Sequence, residues 1–117
     1  MAEEGKEITR DEIQAIFNDI VNGLEELYSQ GITYRNMEPA NIWLTQDKEW
    51  KLSGLEHCLI GDARRSVKDE VGSGNFIYRS PETDKGIYGT KSDLWSLGVI
   101  LFELAFGSLP FGDPLRR

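Results

Sequence analysis

Tyr34-Arg35-Asn36-Met37-Glu38-Pro39-Ala40-Asn41 is the stretch on which the reading of this sequence turns. It is a polar interval bearing a cation, an acid and two amides, set between two segments with clear apolar patterns. Upstream, Ile13, Ile16, Phe17, Ile20, Val21, Leu24, Leu27 and Tyr28 recur at three- and four-residue spacing, which predicts a helix from about Arg10 to Gln30. Thr9 with Glu12 reads as a capping box at its start, and Gly31 as its stop. Downstream, Ile42 to Thr45 and Trp50 to Ser53 flank Gln46-Asp47-Lys48-Glu49, which predicts a short hairpin with Asn41 at its entrance.

From Gly54 to Gly89 the chain is rich in Gly, Ser and charge and has no sustained period. So long an irregular stretch in a small domain is usually functional or mobile. A second helix is predicted from Ser92 or Asp93 to Phe106. Leu94, Trp95, Leu97, Val99, Ile100, Leu101, Phe102, Leu104, Ala105 and Phe106 leave it almost no polar face, so it is expected to be buried all round. Gly107 and Pro110 end it, and the few residues after Pro110 are not expected to cover it.

The 117 residues hold one small domain, 39% hydrophobic and 28% charged, in the range of soluble globular chains. The formal charge of −7, with no run of Lys and Arg, excludes a phosphate backbone as an expected partner. Cys58 is the single cysteine, so no intrachain disulfide can form, and cytoplasm is the expected location, with the nucleus as the alternative. Residues 1–7 lack the basic and apolar parts of a signal peptide. The apolar run Leu94 to Phe106, broken by Ser96 and Glu103, falls short of the roughly 18 residues a membrane span needs. His57 and Cys58 are neighbours that an extended strand would point to opposite faces, and two ligands are too few to hold a metal.

Four stretches in order resemble landmarks of the protein kinase superfamily: Tyr34 to Asn41; Lys51-Leu52-Ser53-Gly54-Leu55-Glu56; Ser80-Pro81-Glu82; and Lys91-Ser92-Asp93-Leu94-Trp95-Ser96-Leu97-Gly98. The family motifs they are similar to are the catalytic loop His-Arg-Asp-Leu-Lys-Pro-x-Asn, the Asp-Phe-Gly and Ala-Pro-Glu that bound the activation segment, and a buried helix beginning Asp-x-Trp-Ser-Leu-Gly. Each is weak alone; the order, with a helix before and a hairpin between, gives the resemblance its force. It implies an α+β, mainly helical fold with a small β-hairpin. Residues 1–117 would form a partial kinase-like domain, the C-terminal lobe, lacking the N-terminal lobe and the last helices. Pro39-Ala40-Asn41-Ile42 and Lys91-Ser92-Asp93-Leu94-Trp95 are similar to the NIMA-related kinases.

Phosphoryl transfer in that family uses a carboxylate base, metal ligands and a lysine on the transferred group. Here the resemblance places Asn36 at the base, and an amide has no useful basicity. It places Glu38 at the lysine, where its charge repels phosphate, and Gly54 at a metal-chelating aspartate. Asn75 falls where many members have a threonine bracing the base, and Trp43 at the floor of the adenine pocket, where an indole crowds a nucleotide. Arg35, Asn41, Pro81, Glu82 and Asp93 match the family. Asp93 is implied to tie the buried helix to the catalytic-loop backbone, and Tyr34 and Leu55 to stack in the interior in place of a His and a Phe. Glu82 would lack the arginine it pairs with in the family. Arg35 is similar to an arginine that holds an activation-segment phosphate, which makes Ser66 and Ser73 candidate phosphosites.

The resulting expectation is a catalytically inactive pseudokinase fragment, not an enzyme, acting as a protein-binding or regulatory module. The alternatives are a degenerate truncated fragment without a function of its own, and a residual serine/threonine kinase activity. No cofactor is expected, although the family uses ATP and magnesium. A protein partner is expected on the Leu94 to Phe106 helix and the Gly54 to Glu82 segment, with no nucleic acid and no membrane.

Overall fold

The apolar stripe of the first predicted helix does form α1, Arg10–Ser29, and it faces inward through Ile16, Ile20, Leu24 and Tyr28. In the computed structural model, which describes residues 8–70 and 75–111, the capping box is complete. The Thr9 hydroxyl accepts from the Glu12 N–H at 3.1 Å, and the Glu12 carboxylate accepts from Thr9.

The predicted hairpin is β2 (Ile42–Leu44) with β3 (Trp50–Leu52), antiparallel with Ile42 opposite Leu52 and Leu44 opposite Trp50; a two-residue β1 (Ile32–Thr33) precedes it. Asp19 of α1 holds the hairpin by accepting the Trp50 N–H at 2.9 Å. The stretch from Gly54 to Gly89 contains more order than its composition suggests. It supplies β4 (Leu59–Ile60), β5 (Val67–Lys68) and β6 (Ile87–Tyr88); β4 pairs antiparallel with β1 and β5 with β6. Among the described residues the fold is thus two α-helices with three small antiparallel sheets rather than one hairpin.

The second helix, α2, runs Thr90–Phe106 and starts two or three residues before the predicted onset at Ser92 or Asp93. The Ser92 hydroxyl accepts the Gly89 N–H and donates to the Gly89 carbonyl, both at 2.9 Å. Gly89 is demanded by space: a Cβ there would lie 2.5 Å from the Ala63 carbonyl oxygen. Leu97, Val99 and Ile100 join the α1 residues, Tyr34, Met37, Ile42 and Trp50 in one core.

The expectation of a helix buried on all sides is corrected. Leu94, Trp95, Phe102 and Phe106 stand exposed on the outer face, Phe106 by 69%. On this face Trp95 stacks on Phe111 at 5.2 Å between ring centroids and borders a cleft with Phe76, Ile77 and Pro81. No helix among the described residues is long and apolar enough to cross a membrane.

Candidate functional site

The polar interval 34–41 lies against the first turn of α2, and a single buried carboxylate joins them. Asp93, 1% exposed, accepts the backbone N–H groups of Tyr34 at 3.3 Å and Arg35 at 2.9 Å and the Tyr28 hydroxyl at 2.8 Å. Burial raises its pKa to about 6, although all three donors pull the other way. Burial also pushes up the Tyr28 and Tyr34 phenols, so both remain donors, Tyr28 to Asp93 and Tyr34 to the Ser53 carbonyl. Tyr28 counts as an apolar stripe residue in the sequence. Its place in the last turn of α1, where a hydroxyl can leave the stripe, is the only signal of its polar role.

Asn36, Asn41 and Gly54 converge. The Asn41 side-chain amide donates to the Asn36 carbonyl at 2.9 Å, and the Asn36 amide points at the Gly54 carbonyl at 3.4 Å. Gly54 has φ +68°, and a Cβ on it would meet the Asn36 amide nitrogen at 2.8 Å and Asn41 Cγ at 2.9 Å. Glycine is therefore required there by both backbone and space. Glu38 opens the short 3₁₀ turn Pro39–Asn41, its carbonyl accepting the Asn41 N–H at 3.0 Å.

Arg35, itself at φ +74°, leads its side chain away from this cluster. Its Nε donates to the His57 carbonyl at 2.9 Å, one terminal nitrogen pairs with Asp69, and the guanidinium lies over the Tyr88 ring, 5.2 Å from its centroid. That ion pair holds the Asp69 carboxyl below its usual range. Sequence reading misses Asp69, because nothing local marks one acid among several as the partner of an arginine 34 residues away. Cys58, in the same region, has its thiol pushed up by burial.

The remaining expected site residues are dispersed. Asn75 serves its own turn, its side chain accepting the Ile77 N–H at 3.1 Å and its carbonyl the N–H groups of Tyr78 and Arg79. Trp43 on β2 is 62% exposed. Leu55 is also exposed, so the interior stacking implied for it with the buried Tyr34 is corrected. Pro81 and Glu82 begin a 3₁₀ turn, Pro81–Lys85, and Glu82 borders a cleft of about 420 Å³ with Arg64, Arg65, Ser66 and Lys91. Ser66 is exposed; Ser73 lies outside the described residues.

With this geometry in view, the comparisons with known proteins are decisive for the family. The protein kinase domain model matches residues 1–116, and the chain belongs to the protein kinase domain family. It is 31% identical over 117 residues to CBL-interacting protein kinase 11 of Oryza sativa subsp. japonica, covering 97% of this chain and 23% of that protein. It is 32% identical over 103 residues to the serine/threonine-protein kinase CHK1 of Mycosarcoma maydis, covering 86% and 16%. It is 31% identical over 108 residues to the maternal embryonic leucine zipper kinase of Xenopus tropicalis, covering 91% and 17%. The chain thus spans less than a quarter of each of these proteins.

These matches overturn the expectation that the chain is not an enzyme: the family model is that of a kinase domain, the relatives are named as kinases, and membership points to an enzyme. The metal implied by the family is a separate matter. The converged positions Asn36, Asn41 and Gly54 offer two carboxamides and backbone carbonyls and no carboxylate, a donor set that does not fit a hard divalent cation held by acids. Among the described residues no group of three or more His, Cys, Asp or Glu is placed to hold a metal.

Proposed function

We propose that this chain is the C-terminal-lobe portion of a serine/threonine protein kinase domain, similar in its Pro39 to Ile42 and Lys91 to Trp95 wording to the NIMA-related kinases, and that its role there is regulatory protein binding. The kinase-domain match and the Asp93 tie between α2 and the 34–41 loop support the lobe assignment.

The outer face of α2 is the observation that carries the binding role. Leu94, Trp95, Gly98, Val99, Phe102, Pro110 and Phe111 line an apolar cleft of about 240 Å³, with Phe76 exposed beyond it. Grouped exposed aromatics of this kind mark interfaces, and the net charge of −7 favours a partner with a basic rim. The exposed parts of the Gly54 to Glu82 segment extend the same role to the other side of the loop.

Site-directed photo-crosslinking tests this reading. A photoreactive residue at Phe102 is expected to give a discrete protein adduct in cells, and one at Lys48, on the hairpin turn away from α2, is expected to give none. Equal adducts from the two positions would contradict it.

A further inference from the structure

Arg35 is the point where otherwise separate parts of the chain are fastened. Its N–H is held by Asp93, and its side chain reaches His57, Asp69 and Tyr88, all within the stretch 54–89. Only 12% of the side chain is exposed. A guanidinium so enclosed is stable only against an anion and aligned acceptors.

The anion is encoded in the chain. Asp69 follows β5 directly, and its N–H bonds the Gly86 carbonyl at 2.9 Å, extending the β5–β6 ladder by one step. The Tyr88 hydroxyl donates to the Glu70 carbonyl, so the ring beneath Arg35 is tied to the residue after Asp69. Ser66 lies on the far side of β5 from Asp69. It sits at φ +72° beside Arg64 and Arg65, at the cleft that includes the first turn of α2.

We propose that Asp69 makes the Arg35 clamp permanent, so that residues 55–70 and 86–88 are docked on the 34–41 loop by an encoded carboxylate and need no phosphorylation of Ser66 to be ordered. This clamp is independent of the binding role, and its test does not depend on any partner.

Limited trypsin digestion of the whole chain, read by mass spectrometry at the bond after Arg65, is the test. Asp69→Asn is expected to speed this cleavage about tenfold or more, because a local opening then replaces a docked state. Asp69→Glu is expected to cleave close to the native rate, and inorganic phosphate is expected to slow cleavage of Asp69→Ala by refilling the place beside Arg35. Native cleavage rates in Asp69→Asn would overturn the proposal. So would an Asp69→Asn chain cut after Lys51 of β3 as readily as after Arg65, since Asp69 would then belong to the global fold and not to a clamp.

Discussion

Two carboxylates grip the same residue from opposite sides and in opposite surroundings. Asp93 takes the Arg35 backbone inside the core, where burial raises its pKa; Asp69 takes the Arg35 side chain at the surface, where the ion pair lowers its pKa. The inner contact fixes where the loop lies relative to both helices. The outer contact fixes only what lies over the loop. A buried acceptor with three donors is therefore part of folding, and an ion pair whose acid is exposed is part of local order.

The largest expected effect breaks the inner side. Asp93→Ala leaves the N–H groups of Tyr34 and Arg35 and the Tyr28 hydroxyl without their acceptor, at a cost of about 3–5 kcal/mol. In a domain this small that is most of the stability, and urea unfolding followed by circular dichroism should show the cooperative transition lost.

The sign of the pH dependence sharpens the same point. The folded-state pKa of Asp93 lies above its ordinary 3.8, so its contribution to stability is fully present below that value and is lost as pH rises through about 6. The full loss across that window is roughly 3 kcal/mol. Melting points measured across it should fall less steeply with rising pH in Asp93→Asn than in the native chain.

Gly54→Ala tests the cluster of Asn36, Asn41 and Gly54, whose side chains Asp93 does not hydrogen-bond. A Cβ 2.8 Å from the Asn36 amide, on a residue at φ +68°, should lower stability by about 1–3 kcal/mol, visible in thermal melts. Thr9→Ala removes the α1 cap and should cost about 1 kcal/mol in the same assay. Asp69→Asn should move the melting point least of all, despite its large local effect on cleavage.

The two sides also differ in how far the sequence discloses them. The α1 stripe, its capping box and the Gln46–Glu49 turn are local patterns, and each is legible because the residues that form it are neighbours. The order of the four kinase-like stretches points to Asp93 and to the convergence of Asn36, Asn41 and Gly54. The pairs β1–β4 and β5–β6 are two residues long and carry no period, so the stretch 54–89 reads as irregular. Asp69 is one acid among several and becomes distinctive only once β5 and β6 bring it to Arg35. The outer face of α2 departs from expectation for a related reason: apolar composition shows what a helix could bury, and its neighbours decide what it does bury.

Amide hydrogen exchange, read segment by segment on the native chain and on Asp69→Asn, tests the division between the two carboxylates most directly. Exchange in Asp69→Asn is expected to rise through residues 55–70 and 86–88 while the inner amides of α1 and of α2 around Leu97 and Ile100 keep their native protection. Uniform loss of protection across both helices, or no change in the 55–70 stretch, would contradict it.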